Sequence, residues 1–204
     1  MEVTTLNTKV LAAAVAAVGL LVAAPAATAA PASCTPQPAS GQPFTPWDDF
    51  AFYALVSGGN IEGDLAGWTL DGAQVVEGNE PFHVGGADDH LALALNDGDS
   101  ITTAPICIDD TYPWFRFFAR NTAGRKAKLK VTVLYTDRSG QLREEGTGDY
   151  ATAKAGWLPT GSLGIDVDWD KVPGGAVPIS FRFTADSNAS FLVDDVYVDP
   201  MARG

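Results

Sequence analysis

Downstream of residue 50 the chain breaks into short apolar stretches separated by glycine- and proline-containing turns. In "ISFRFTA" (179–185), Ile179, Phe181 and Phe183 alternate with Ser180, Arg182 and Thr184, the period of a strand with one buried face. "KLKVTVLYT" (128–136) repeats the pattern, and "WFRFFAR" (114–120) and "SFLVDDVYV" (190–198) are further strands. Shorter ones are "GWTLDG", "AQVVEG", "HLALAL" and "SITTAPI". Ahead of them, Thr45, Pro46 and Asp48 suit one helical turn, and Tyr53 to Val56 a strand ending at Gly58-Gly59. No sustained helical period follows the N-terminal region, so the pattern predicts an all-β sandwich or barrel in one domain. Within "SFLVDDVYV", parity puts Asp194 on the face of Val196 and Val198 and turns Asp195 to solvent. An inward carboxylate needs a partner or a bound ion.

The first residues change the picture. Lys9, the apolar run Val10–Ala24 and the small residues Ala27-Thr28-Ala29 have the layout of a cleavable signal peptide over 1–29. The run is shorter than the roughly 20 apolar residues of a membrane span. A secreted, extracellular protein with no membrane span is therefore expected. Residues 30–50 read as an extended Pro/Ser-rich lead-in, 51–200 as the sandwich and 201–204 as a tail. In an oxidising compartment the only cysteines, Cys34 and Cys107, are expected to form a disulfide. A lipid anchor at Cys34 is disfavoured by the preceding Pro31-Ala32-Ser33. A net charge of −12 argues against nucleic acid as a partner.

Three patterns bear on chemistry. Asp166, Asp168 and Asp170 in "GIDVDWD" alternate, so a strand would set all three carboxylates on one face. "GGADDHLALAL" groups Asp88, Asp89 and His90 in a glycine-led loop, either a metal site with distant ligands or solvated loop polarity. Eight of the 13 lysines and arginines lie between Arg116 and Arg143. If the strands of Arg116, Lys130 and Arg182 share a sheet, its outer face is basic and suits acidic glycans or wall polymers; otherwise these side chains balance acids such as Glu144 and Glu145.

"GGNIEGDLAGW" (58–68) resembles the opening strand, and "LVDDVYV" (192–198) the closing strand, of jelly-roll (galactose-binding-like) carbohydrate-binding modules. "GNEPFHVGG" and "RFFARN" resemble a group of secreted proteins of high-GC Gram-positive bacteria. The resemblance implies a jelly-roll β-sandwich of two antiparallel sheets. It also implies a structural calcium held by one acidic residue from each terminal strand, here Glu62 and Asp194. The alternative for Asp194 is to accept backbone amides or pair with an arginine such as Arg182. "GIDVDWD" is similar to the E-x-D-x-E catalytic strand of jelly-roll glucanases, with aspartate at every acidic position.

Sugars stack on aromatic rings. Trp169, flanked by aspartates, and Trp157 are the expected platforms, with Tyr112 and Tyr150 behind them. The expected function is non-catalytic binding of carbohydrate or cell-wall polymer, with Trp169, Trp157, Arg116, Lys130 and Arg182 contributing. The alternatives are a cell-surface structural or protein-interaction module and a glycoside hydrolase using Asp166, Asp168 and Asp170.

Overall fold

The computed structural model describes Met1 and residues 34–200 other than Ala153 and Pro173. The body of the expected signal peptide and the 201–204 tail lie outside the described residues. Six short strands come first: β1 (Ala54–Leu55), β2 (Thr69–Asp71), β3 (Gln74–Glu77), β4 (Leu91–Leu95), β5 (Ser100–Thr102) and β6 (Ile106–Asp109). The longer β7 (Trp114–Asn121), β8 (Ala127–Thr136) and β9 (Leu142–Thr152) follow. After the two-residue β10 (Leu158–Pro159) and β11 (Leu163–Gly164), the chain closes with β12 (Ala176–Ala185) and β13 (Phe191–Asp199). Single 3-10 turns occupy Thr45–Trp47 and Trp169–Lys171.

The strands form two antiparallel sheets. One runs β10-β7-β13-β4-β3, with β1 added to β13 and β11 to β7; the other runs β2-β5-β12-β8-β9, with β6 added to β12. Both sheets turn an apolar face to a common core. From β12, Ile179, Phe181 and Phe183 are fully buried, as their alternation predicts, and Leu129, Val131 and Val133 of β8 lie beside them. Across the sandwich Phe115 stacks on Phe181 at 4.3 Å, and Phe117 meets Phe183 edge-on at 4.9 Å. Each such pair adds about 0.5–1.5 kcal/mol to the gain from area burial.

The first sheet is also covered on its outer face. Consecutive Phe117 and Phe118 are both fully buried because they enter different layers: Phe117 the core, Phe118 an outer cluster with Phe44, Tyr53 and Tyr197. The lead-in supplies this cover, so it is a packed element and not a free extension. The ring of Phe44 lies 5.5 Å from that of Phe118, and Tyr53 bridges back to Gly41. Cys34 and Cys107 are disulfide-bonded, which fixes the start of this strap to β6. Farther along, the Tyr112 hydroxyl donates to the Gln37 carbonyl at 2.5 Å.

The parity expected of β13 fails at its centre. Phe191 and Val193 face the core, but so do Val196 and Val198, because a bulge shifts the register between Asp194 and Tyr197. Asp195 sits at the bulge with φ of 52°, a left-handed conformation that aspartate tolerates better than most residues. Asp194 therefore leaves the core face, and Asp195 does not reach solvent. Both side chains are fully buried under the outer layer.

Candidate metal centre and ligand-binding surfaces

Around the bulge the fold gathers acidic side chains from four segments. Asp194 Oδ1 accepts the amide of Asp195 at 2.8 Å, and Oδ2 that of Glu80 at 3.4 Å. Glu80, itself fully buried, takes the amides of Phe82 and Val84 at 2.5 and 2.7 Å and so folds residues 80–84 into a tight loop. Glu62 takes the amides of His90 and Leu91 at 2.6 and 2.5 Å and the His90 ring at 3.0 Å, closing the entry to β4. These three carboxylates are thus occupied by backbone donors, the alternative set out above for Asp194.

Two others are not. Asp89 Oδ2 and Asp195 Oδ2 are buried with no hydrogen-bond partner among the described residues. They flank Gly85: a Cβ added there would lie 2.4 Å from Asp89 Oδ2 and 3.0 Å from Asp195 Oδ1. Burial, and then the negative charges of Glu80 and Asp89, push the Asp195 carboxyl well above the ordinary carboxylate range. Burial followed by the charge of Asp195 does the same for Asp194, and burial followed by Glu62 raises Asp89. Among the described residues no arginine or lysine forms an ion pair with these carboxylates. The backbone is strained here as well, since Ile61, His83 and Asp195 all hold φ between 52° and 60°. For β-branched Ile61 that conformation is particularly costly.

Paired, desolvated carboxylates around a residue without a side chain suit a hard cation. The donor set fits calcium, with Asp89 and Asp195 as its free side-chain oxygens. Among the described residues no three His, Cys, Asp or Glu side chains form a cage by themselves, so backbone carbonyls and water would complete the six to eight ligands that calcium takes. The sequence singled out Glu62 and Asp194. The structure puts Glu62 beside this pair, commits Asp194 to amides, and adds Asp195, whose part depends on a bulge that the alternation hid.

The ligand-binding candidates separate. Arg116 lies in the covered sheet and is only 8% exposed. Its guanidinium pairs with Asp49 at 2.6 Å, donates to the Thr160 carbonyl at 2.8 Å and caps the Phe44 ring at 3.9 Å. It clamps the strap and shares no face with Lys130 or Arg182. Those two stand on adjacent strands of the second sheet, where Arg182 grips Glu144 through two hydrogen bonds of 2.6 and 3.2 Å. Trp169 belongs to a 3-10 turn and packs half-buried on the core; Trp157 packs half-buried on the outer cluster. Tyr112 is buried and Tyr150 packs against the core.

The three aspartates do not lie on one strand. β11 ends at Gly164, before Asp166, and Asp170 falls within the 3-10 turn. Asp168 is paired with Lys171 at 2.5 Å. Ile165 and Val167 are buried, so the alternation is real, but it lies outside any strand.

The outer face of the second sheet remains open and polar. Registered pairs place Thr69, Thr102, Arg182, Thr132 and Gly146 side by side across five strands. A parallel row holds Asp71, Ser100, Thr184, Lys130 and Asp149. Four interstrand steps of about 4.8 Å give each row a length of about 19 Å. Thr132, the fourth member of the first row, is buried, and its hydroxyl has no partner among the described residues.

The two-sheet sandwich is the fold of carbohydrate-binding modules of solved structure. It superposes on the CBM22-1–GH10 modules of Clostridium thermocellum xylanase 10B complexed with xylohexaose, with a TM-score of 0.51, 17% identity and 76% of this chain covered. It also superposes on the CBM22-1–CBM22-2 tandem of Paenibacillus barcinonensis Xyn10C, with a TM-score of 0.50, 14% identity and 81% coverage. The matched regions span 29% and 47% of those chains. No family model matches the sequence, and no curated protein matches it.

Proposed function

We propose that the protein is a secreted, non-catalytic module that binds a polysaccharide or cell-wall polymer on the open face of its second sheet and carries a calcium ion beneath the cover of the first. The observation that carries this reading is the pair of parallel polar rows on the one outer sheet face that no strap closes. Hydroxyls and charges held in register by strand pairing can meet successive hydroxyls of an extended chain, and rigid strands hold them better than loops do. The fold likeness to part of the CBM22-1–GH10 modules complexed with xylohexaose adds support from architecture. Asp166, Asp168 and Asp170 do not share a strand and Asp168 is engaged by Lys171, which weighs against the hydrolase alternative. At the proposed metal centre Asp89 and Asp195 would hold the ion, which would supply the positive charge that the buried carboxylates lack.

The test is retention of the protein on insoluble xylan, cellulose and purified bacterial cell wall, each with calcium and with chelator. Selective retention on one polymer, weakened severalfold by Lys130→Ala with Arg182→Ala, is expected. Retention on none of them would refute the reading and leave a protein-interaction module as the surviving alternative.

A further inference from the structure

The polar rows lack one thing that sugar recognition uses, an aromatic ring on which the apolar face of a pyranose can stack. Such a ring stands at the end of the first row. Gly146, the last member of that row, lines an open cleft of about 390 Å³ together with Pro113, Trp114, Thr147, Gly164, Ile165 and Asp166. This is where the edge of the open sheet, β9, comes nearest the covered sheet through β11, which pairs with β7. Gly164 pairs with Trp114 in that ladder, and a Cβ added to Gly164 would sit 3.6 Å from the indole Cζ3. The missing side chain leaves the six-membered edge of the ring uncovered. The indole N–H is buried with no acceptor among the described residues.

We propose that this cleft is an aromatic subsite of the binding face, taking a short stretch of an uncharged sugar chain against the Trp114 ring. Pro113 and Ile165 extend the apolar floor, and the Thr147 hydroxyl and Asp166 carboxylate offer acceptors to sugar hydroxyls. Asp166 is the one charged side chain in the lining, so an acidic polymer would meet repulsion there, while Arg116 and Arg182 are already held by Asp49 and Glu144. The subsite rests on the binding function proposed above and narrows its ligand to neutral glycans.

Gly164→Leu is the variant of choice. Its backbone φ is not in the left-handed region, and the new side chain would lie on the ring at ordinary contact distance, covering the platform without unseating it. Trp114→Ala removes the ring, and Asp166→Asn changes an exposed acceptor with no loss of packing. Retention on the polymer that holds the unaltered protein should fall tenfold or more for Gly164→Leu and Trp114→Ala, and severalfold for Asp166→Asn. Thermal unfolding of Gly164→Leu and Asp166→Asn should match that of the unaltered protein. Undiminished retention of both Gly164→Leu and Asp166→Asn would overturn the subsite and leave the binding function standing. If the unaltered protein is retained on none of the polymers, the function and the subsite fall together.

Discussion

Replacing both cysteines, Cys34→Ala with Cys107→Ala, removes a link between positions 73 residues apart. The native strap keeps its other anchors: the Phe44 stack, the Arg116–Asp49 pair and the Tyr53 hydroxyl on Asp49 at 2.6 Å. The main effect should therefore fall on the unfolded chain, which regains the freedom of an open loop. For a closure of this length the chain-entropy relation gives about 15 cal/mol/K, or roughly 4 kcal/mol at 25 °C. In a domain of this size that corresponds to a fall in Tm of roughly 9–18 °C. Urea unfolding of the two proteins measures it directly, and the slope with denaturant should rise slightly because the unlinked unfolded chain is more expanded. A loss below about 1 kcal/mol with an unchanged slope would refute the reasoning. It would mean that the unfolded chain is already confined across this span, or that the native link stores compensating strain.

Two further outcomes follow from charge. Calcium at about a hundred times its dissociation constant should stabilise the protein by about 2.7 kcal/mol, a rise in Tm of roughly 5–10 °C, and Asp195→Asn should abolish that response while raising Tm in chelator by relieving repulsion from Glu80 and Asp89; an undiminished calcium response would exclude Asp195 as a ligand. Asp137 lies in the β8–β9 turn, where the Ser139 hydroxyl, then the Gln141 amide and Arg143, hold its carboxyl well below the usual value of 3.8. Its contribution to stability is present above that value and is lost as pH falls toward its folded value, so Asp137→Asn should flatten the acid limb of a Tm–pH curve, and an unchanged limb would deny it that role.

How much of this could be read in the sequence depends on whether local alternation survives tertiary packing. It does in β12 and β8, which each have one buried face and one polar face, and the two-sheet architecture follows from them. It fails in β7 and β13, which are covered on both faces. There the informative sign is the adjacency Phe117-Phe118, which one-sided alternation forbids. Asp195 escaped because nothing in "VDDV" marks the second aspartate as left-handed, and one extra residue in a strand reverses every later side chain. The aspartates of "GIDVDWD" alternate truly with buried Ile165 and Val167, but beyond Gly164 no neighbouring strand turns that segment into a ladder. Trp114 was legible only as a strand residue. Its candidacy depends on the absent side chain of Gly164, its partner 50 positions away, and short-range pattern cannot supply such a contact. The disulfide needed no geometry, since two cysteines allow one intramolecular pairing.

The strap carries a consequence for the order in which the molecule can be built. Its aromatic residues come from positions 44–53, yet they pack on Tyr197, and β1 pairs with Val198 and Tyr197. The apolar side chains that leave the ribosome early meet some partners once β7 has followed, Phe118 among them, but the layer is complete only when β13 brings Tyr197. Such distant contacts are slow to form and leave sticky surface exposed in the meantime. Cys107 stands midway along the chain, so oxidation can tether the strap beside its eventual seat before β13 arrives. The bond at Cys34 would then serve assembly as a placeholder: it turns the final docking of a remote N-terminal segment into the closing of a flap that is already hinged.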